Sequence, residues 1–457
     1  MKKIALSVAT LSLVVSANAA EDLSSMFSEG KASGQIREFS VDREYQGTSW
    51  ANSGKEPTHR RANALGGHLK FETADFKGLS LGTAFYTTNG FLNDSDKADY
   101  TKVDQTLLGP DNENLTFIGE AYLNYNYGKT NFKGGRQTLE TPMAGGDDAR
   151  MIRNLFEAYM LTNKDIKDTT LTLGHITRFS QGTFGRVYNA NAGDLGNKLL
   201  SVTGGYSYHD SLNQVGSFVN MGTYAVNEAT NGVSVAAINY TGIKNLNLQL
   251  WDYYAYDLMN VVYAQADYSW NCMFNENVKP YVAAQLIKEN DVGKEFAGKV
   301  DSTYWATKLG AKVENFDAYI AYSQTGENSE AQKIAGGTEN AVLTPWGGMS
   351  AFTQGMVTRH MFMAGTKASK IAASYNWKNF GPNLMTLGYF TSFDMDKNSG
   401  YGLERTATEA GYDVIYYPEA VKNLELRTRA NFPRTFAEGP SGTTGWSEYR
   451  LIVNYNF

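Results

Sequence analysis

Two arginines near the C-terminus, Arg427 and Arg429, have the type and spacing to handle an anion together. Residues two apart on a β-strand project from the same face, so their guanidinium groups would stand about 7 Å from each other. A carboxylate could then pass from one planar fork to the next without full release. In the alternative interpretation, both arginines pair with Glu425, Glu448 or loop acids and only shield a polar interior. The sequence leaves both interpretations open.

A second concentration of charge lies in the segment Thr141 to Asn154, where Asp147 and Asp148 stand close to Arg150 and Arg153. The segment is too long and too charged for a simple hairpin turn. If it faces a pore, the two aspartates could tune ion selectivity. Equally, the neighbouring arginines could neutralise them.

Two further features suggest catalysis or metal binding, and both are weak. His175 could act as a base, but no Gly-x-Ser-x-Gly motif accompanies it, and a polar residue lining a water-filled interior is the better interpretation. The segment Asp394 to Gly400 resembles a calcium loop, but its glycine is one place late and Arg405 stands where a closing glutamate is required. We expect no catalytic residue, no metal site and no cofactor.

The strand pattern that must position these residues is clearest at the C-terminus. One face of this segment is apolar, and it is formed by Tyr449, Leu451, Val453, Tyr455 and Phe457. The other face is polar apart from one residue, and it is formed by Arg450, Ile452, Asn454 and Asn456. Such alternation is typical of a strand with lipid on one side and water on the other, although a half-buried strand in a soluble sandwich alternates in the same way.

The N-terminus favours the membrane interpretation. Met1 to Ala19 has the features of a secretory signal peptide, with Lys2 and Lys3 before the apolar run Ile4 to Val15 and the small residues Ala17 to Ala19 at the cleavage site. A membrane-spanning anchor would need roughly 20 apolar residues, and this run is too short. We therefore expect export through the Sec pathway, followed by a single domain over residues 20–457.

Composition agrees with an exported β-protein. The chain has 29 tyrosines, 23 phenylalanines and 45 glycines but only 9 prolines, which suits many strands, tight turns and aromatic belts. Cys272 is its one cysteine, so no disulfide framework is possible. Loss of Lys2 and Lys3 with the leader takes the formal charge from −6 to −8, and no basic surface suggests nucleic acid.

A repeated pattern predicts the number of strands. Short polar turns followed by alternating leucines, as at Lys77 to Leu81 and Lys422 to Leu426, alternate with long polar stretches such as Gln181 to Gly232. Nineteen runs look like strands, and we assign Leu199 to Tyr208 to an outer loop, which leaves eighteen. Arg or Lys facing lipid costs roughly 2–4 kcal/mol at the midplane, so the charged strand faces must line the interior.

Several short motifs occur in an order and spacing typical of one known family. They are Arg37 to Tyr45 as a first strand with its turn, Gly135 to Met151 as an inward loop, Leu171 to His175, Leu250 to Asn260, Leu424 to Arg429 and Glu448 to Val453. By these motifs the chain resembles the OprD-type family of outer-membrane porins over nearly the whole mature sequence. The resemblance implies an all-β, antiparallel transmembrane barrel with short periplasmic turns, long outer loops and an inward-folded constriction loop.

The resemblance also implies roles for particular residues. It places a basic ladder for carboxylates on one wall, formed by Arg43, Arg427 and Arg429, with Arg450 facing the same interior. It makes His175 a pore residue. It assigns the constriction loop a set of charged and turn residues: Pro142, Asp147, Asp148, Arg150 and Arg153.

One departure from the family bears on selectivity. Well-studied members place an acid and a hydroxyl in the inner loop to hold a basic or amino group, whereas Gly355 to Met361 offers Arg359 and His360 here. The departure argues against basic amino acids as solutes and favours anionic or neutral ones.

The resulting expectation is a passive porin in the outer membrane of a Gram-negative bacterium that favours small carboxylate-bearing solutes. One alternative is a general, weakly cation-selective porin set by Asp147 and Asp148, and a barrel enzyme is a further one. A plugged receptor-transporter does not fit, because strand signals begin near Ala32. The expected partners are the bilayer, lipopolysaccharide, the solutes and the barrel-assembly machinery, with the chain a monomer or a homotrimer.

Overall fold

The structure is a computed structural model that describes residues 20–46, 59–91, 102–184, 215–334, 339–348, 351–399, 404–439 and 442–457. The segment Met1 to Ala19 and the run Leu199 to Tyr208 lie outside the described residues, as does Gly400 of the calcium-like loop.

Eighteen long strands form a single antiparallel sheet that closes on itself. In chain order, β1 to β18 are Lys31–Gln46, His59–Glu72, Leu79–Gly90, Leu115–Tyr127, Thr130–Gln137, Leu155–Asn163, Thr169–Ser180, Val233–Tyr240, Leu246–Ala255, Met259–Ser269, Val278–Asp291, Thr303–Val313, Phe316–Thr325, Lys367–Asn376, Leu384–Met395, Arg405–Tyr416, Leu424–Arg434 and Gly442–Asn456. The predicted eighteen-stranded barrel is confirmed.

The barrel closes where β1 pairs with β18. Val41 of β1 lies between Ala62 of β2 and Arg450 of β18. Gly34 and Phe457 exchange two backbone hydrogen bonds of 3.0 and 3.1 Å at the base of this seam. The start of β1 and the end of β18 therefore lie on the same side of the barrel, as the even strand number requires.

Short helices lie outside the strands. The α-helices α1 to α3 are Leu23–Ser28, Met221–Val226 and Glu330–Ile334, and the 3₁₀ turns are Gln105–Leu107, Pro110–Asn112, His360–Phe362 and Trp377–Phe380. No helix among the described residues is long and apolar enough to cross a membrane.

The predicted tight turns share a backbone conformation. Lys77, Asp168, Asn245 and Asn423, each just before an upward strand, have φ between 55° and 66°. Asn and Asp tolerate this left-handed region better than other residues with a side chain, which explains the polar residues that recur at these turns. The predicted turn within Arg37 to Tyr45 is not present, because β1 continues to Gln46.

The two faces of each strand separate as the alternation predicts. On β18, Leu451 is 52% exposed on the outer face, while its neighbours Arg450 and Ile452 are buried on the inner face. On β17, Leu424 and Leu426 lie on the outer face of the strand, and Arg427 lies on the inner face.

Two loops fold into the barrel from opposite sides. The first loop comprises residues 138–154, between β5 and β6. The second comprises residues 339–348 and 351–364, between β13 and β14, which is eight strands further round the barrel. They meet inside, where the Gly145 amide donates to the Trp346 carbonyl at 3.2 Å. Gly348 lies so close to Pro142 that an added Cβ would stand 2.4 Å from its carbonyl oxygen.

Beyond the line where these loops meet, half of the interior is closed by apolar packing. Wall residues such as Phe156, Tyr253 and Tyr304 pack with Trp346 and Phe352 of the second loop. Close packing of these side chains buries apolar surface and stabilises the contact between the second loop and the wall.

A second apolar cluster explains why Ile452 is the one apolar residue on the polar face of the C-terminal strand. Ile452 faces inward with Phe39 and Val41, and these residues pack under Met151 and Ile152 of the first inward loop. An inner wall that carries a folded loop needs apolar contacts at that place, whereas a bare water-filled wall does not.

Substitution of an outer-face residue tests this assignment of faces. Leu451→Arg places a guanidinium against lipid, and we expect it to lower the free energy of unfolding by about 2–4 kcal/mol, the cost near the midplane. The measurement is a urea titration of the barrel refolded in vesicles. Asn456→Arg, on the inner face of the same strand, is the control and should change little; equal losses for both would contradict the assignment.

Candidate functional site

The most heavily charged place in the interior is a cluster around Glu448 on β18. Its carboxylate lies 2.5 Å from Arg43 Nη2 of β1, 2.7 Å from Arg150 Nη2 of the first inward loop and 2.8 Å from Arg450 Nε on its own strand. The Glu448 and Arg150 side chains have no solvent exposure, and those of Arg43 and Arg450 have almost none. Charges buried this deeply must be paired, because loss of hydration is costly.

Loop residues complete the cluster. Asp104 lies 3.3 Å from Arg43, and the Thr106 hydroxyl accepts a 2.9 Å hydrogen bond from Arg150 Nε. Burial lowers the pKa of Arg150 to about 10, with Glu448 opposing the shift, so Arg150 remains charged at neutral pH. Arg150 therefore fixes the inward loop to the seam of the barrel.

The predicted ladder divides into buried and accessible members. Arg43 is buried and forms ion pairs with Glu448 and Asp104, which matches the alternative interpretation of pairing rather than direct contact with a solute. Arg427 and Arg429 both pair with Asp413 of β16, and Arg427 Nε donates to it at 2.8 Å. Their side chains keep 26% and 15% of their exposure. Two guanidinium groups thus share one acid and remain reachable from the interior.

The first inward loop is held by ion pairs from both sides. Asp148 accepts a 2.6 Å hydrogen bond from Arg37 of β1, and its side chain is 40% exposed. Arg153 pairs with Glu140 within the loop. Pro142 is buried at the contact with the second loop. Asp148 is therefore paired with an arginine of the wall and not with the neighbouring Arg150 or Arg153, which pair with Glu448 and Glu140.

Asp147 links the two inward loops. Its carboxylate lies 3.8 Å from Arg359 Nη2 of the second loop, and its φ of 42° is left-handed. Burial raises the pKa of Asp147 above that of an ordinary aspartate, and Arg359 opposes the shift. Whether Asp147 and Arg150 mark the narrowest point remains a prediction.

Gly355 to Met361, the segment that departs from the family pattern, forms hydrogen bonds with other residues of this chain. Glu409 of β16 accepts backbone hydrogen bonds from Met356 at 2.6 Å and Thr358 at 2.7 Å. His360 is fully buried beside the Phe436 carbonyl, 2.8 Å from its Nε2. Burial lowers the pKa of His360 to about 3, so the ring is neutral and supplies no positive charge to a solute.

The assignment of His175 to the pore is wrong. His175 pairs across the sheet with Tyr159 and Ser234 and shares its face with Leu173, which is largely exposed on the outer surface. Ile176, the next residue, is the one that enters the apolar interior. The sequence contained the signal: His175 has the same strand parity as Leu171 and Leu173.

Sequence reasoning also missed a recurring arrangement of tyrosine, glycine and lysine on the inner wall. The Tyr122 ring lies across Gly82 of the neighbouring strand, donates to Glu72 at 2.7 Å, and carries Lys133 Nζ 3.8 Å above its centre. Tyr281 lies across Gly310 in the same way, beneath Lys308. The residues that make these contacts are far apart in sequence and meet only through strand pairing.

A closed barrel with an apolar outer face and a charged, partly accessible interior defines the class of protein as an outer-membrane channel. The chain belongs to the OprD family of outer membrane porins, whose profile matches residues 27–457. Members of this family are channels of the Gram-negative outer membrane rather than enzymes.

Solved structures show the same fold at low sequence identity. OpdK of Pseudomonas aeruginosa, solved with vanillate, superposes with a TM-score of 0.70 at 15% identity, over 94% of this chain and 99% of that one. OccK9 (OpdG) of the same organism gives 0.72 at 16% identity over the same shares. OccK2 (OpdF), in complex with glucuronate, gives 0.68 at 15% identity and again the same shares. No curated protein sequence matches the chain significantly.

Removal of the central acid should weaken the whole barrel. Glu448→Gln leaves three buried guanidinium groups with Asp104 as their main partner, and we expect a loss of about 3–5 kcal/mol of unfolding free energy. Urea titration in vesicles measures it. Glu425→Gln, where the amide can still accept from the Tyr417 hydroxyl, is the control, and a similar loss in both variants would refute the special role of Glu448.

Acidification should separate the two inward loops. Because the pKa of Asp147 is raised, this residue becomes protonated at a higher pH than an ordinary aspartate and then no longer attracts Arg359. We expect single-channel conductance to change as the pH falls through that range. Asp147→Asn should show the acidic conductance already at neutral pH, whereas Asp148→Asn should keep the transition. A transition that persists in Asp147→Asn would exclude this pair as its origin.

Proposed function

We propose that this porin passes small carboxylate-bearing solutes, such as amino acids, organic acids and small peptides, down their concentration gradients. The observation that carries the proposal is the pair Arg427 and Arg429, which share the single acid Asp413 and keep access to the interior. One carboxylate cannot satisfy the five donors of each of two guanidinium groups. A passing carboxylate can use the remainder.

The buried cluster around Glu448 also favours negatively charged solutes. Arg43, Arg150 and Arg450 outnumber the two acids Glu448 and Asp104, so the cluster has a net positive charge. A charge beside a narrow, low-dielectric wall focuses its potential into the passage. Arg43 thus contributes to the field felt by a solute, although its burial excludes direct contact in this conformation.

Charges on the outer loops have less influence on a solute in the passage. Salt solution screens exposed charges beyond about 8–10 Å, so the net charge of the chain does not set the selectivity of the interior. The solutes found in two structural neighbours, vanillate and glucuronate, both carry a carboxylate. This is consistent with the sign of charge proposed here.

A weakly cation-selective channel is the second candidate, and one observation favours it. Asp148, Glu72 and Glu140 are each at least 40% exposed at the side chain, which is more than either arginine. Each has a basic partner within ion-pair distance, namely Arg37, Lys70 and Arg153 in turn. Each of these three acids therefore has at most one basic partner, and Lys70 is shared with Glu120, whereas Asp413 faces two arginines.

Replacement of the two accessible arginines tests the proposal. The double variant Arg427→Gln with Arg429→Gln should slow carboxylate uptake by about tenfold, the factor equivalent to about 1.4 kcal/mol. Glucose uptake should change little, because it gains nothing from the charge. Uptake by proteoliposomes measures both rates.

Arg178→Gln is the matched control, since Arg178 pairs with Glu157 on the outer face of the barrel. It should leave both solutes unaffected. Equal slowing of carboxylate and glucose in the double variant would indicate a change in pore size and would remove the support for carboxylate preference. An unchanged or faster carboxylate flux would likewise contradict the role of the two arginines.

A further inference from the structure

Three charged residues form a row across β5, β6 and β7 that the proposed function does not use. In the register of the sheet, Arg136 of β5 pairs with Glu157 of β6, and Glu157 pairs with Arg178 of β7. Neighbouring strands lie about 4.8 Å apart, so the backbones of the two arginines stand about 10 Å from each other, with the acid between them. Arg136 is next to the last residue of β5, and Arg178 lies just before the end of β7 at Ser180. The row is therefore near the end of the barrel at which the long loops begin.

The row faces the membrane and not the interior. On β6, Tyr159 shares the face of Glu157 and is exposed on the outer surface, whereas Phe156 is buried inside the barrel. On β7, the Arg178 side chain is 53% exposed, and the next residue, Phe179, packs in the apolar interior. The row is thus presented to the outer leaflet of the membrane, beyond the reach of solutes inside the barrel.

The acid of the row holds its arginine only loosely. Glu157 Oε1 accepts a 2.9 Å hydrogen bond from the Thr177 hydroxyl and stands 3.7 Å from Arg178 Nε. That separation allows an ion pair but is too long for a hydrogen bond. A guanidinium carries five N–H groups, so Arg178 keeps donors for a second acceptor.

The other arginine is compensated less well. The ion pair of Glu157 is with Arg178, and Arg136 forms none within the described part of the chain. Its guanidinium lies 4.3 Å from the centre of the Phe218 ring, and its Nη1 donates a weak hydrogen bond of 3.4 Å to the Ile118 carbonyl. Cation–π contact offsets part of the lost hydration but brings no opposite charge. One acid thus stands between two guanidinium groups, and the row has a net positive charge.

A group of polar side chains lies beside the row on the same face. His175 Nδ1 is 3.1 Å from the Ser234 hydroxyl, which in turn is 3.3 Å from the Tyr256 hydroxyl. His175 is on β7, further from the outer end than Arg178, and its partner on β6 is the exposed Tyr159. Hydroxyl and imidazole groups can hydrogen-bond to the oxygens of a lipid headgroup, and tyrosines are typical of the membrane interface.

We propose that this outer face of β5 to β9 binds the phosphorylated sugar headgroup of a glycolipid in the outer leaflet, namely the lipid A part of lipopolysaccharide. One phosphate lies between Arg136 and Arg178, which offer it planar pairs of N–H donors. His175, Ser234 and Tyr256 hydrogen-bond to the oxygens of the sugar and its ester groups. The phosphate supplies the negative charge that the row lacks, so the site selects an anionic lipid over a neutral one.

Two other basic residues on the outer face are each paired with an acid. Lys288 of β11 pairs with Asp301, and Lys367 of β14 stands 3.9 Å from Glu327. Neither shares its acid with an adjacent arginine in the way that Arg136 and Arg178 flank Glu157. Lys288 therefore provides a matched control, since it removes one outer-face cation without touching the row.

Native mass spectrometry of the purified barrel, with diphosphorylated lipid A as the probe, tests the site. The double variant Arg136→Gln with Arg178→Gln should bind lipid A about tenfold more weakly than the wild type, the factor equivalent to about 1.4 kcal/mol. Lys288→Gln should bind it as the wild type does. Unchanged binding by the double variant would overturn the proposal.

A second lipid identifies the headgroup. Phosphatidylglycerol has a phosphate but no sugar, so the wild type should bind it more weakly than lipid A. Tyr256→Phe removes one hydroxyl outside the row and should weaken the binding of lipid A but not that of phosphatidylglycerol, which keeps the test informative if the double variant folds poorly. Equal binding of the two lipids by the wild type would contradict the assignment to a glycolipid.

Discussion

The position of the first inward loop at the seam of this barrel depends on one carboxylate, that of Glu448, and the three arginines around it. Arg450 is on the same strand, Arg43 is on the first strand, and Arg150 is on the inward loop. The interaction therefore joins the two ends of the sheet to the loop that fills the space between them. Backbone pairing alone would close the barrel, but it would not fix where the inward loop lies.

Burial gives this cluster its rigidity and also limits its function. Removing a charge from water is repaid only where partners are close and well oriented, so the arginines around Glu448 cannot leave their acids to follow a solute. Arg427 and Arg429 share Asp413 under partial exposure, where exchange of partners costs far less. The same residue type thus holds the structure together in one place and remains available to solutes in another.

The two inward loops give the interior its asymmetry. They start on opposite sides of the ring and meet at Gly347 and Gly348, whose φ values of 74° and 93° favour glycine and allow the backbones to approach. On one side of this contact, aromatic and aliphatic side chains pack against one another. On the other side, the charged residues Arg427 and Arg429 are partly exposed.

The sequence by itself determined the barrel, its strand number and the face to which Arg427, Arg429 and Arg450 point, because period-two alternation is local and lipid tolerates no charged face. The alternation also placed His175 on the same outward face as Leu171 and Leu173, although the family resemblance suggested a position in the pore. Only the tertiary structure decided that Arg43 is buried, since its partner Glu448 is the length of the chain away. Partners, burial and aromatic surroundings arise from strand closure and loop packing, and neither leaves a periodic trace in the sequence.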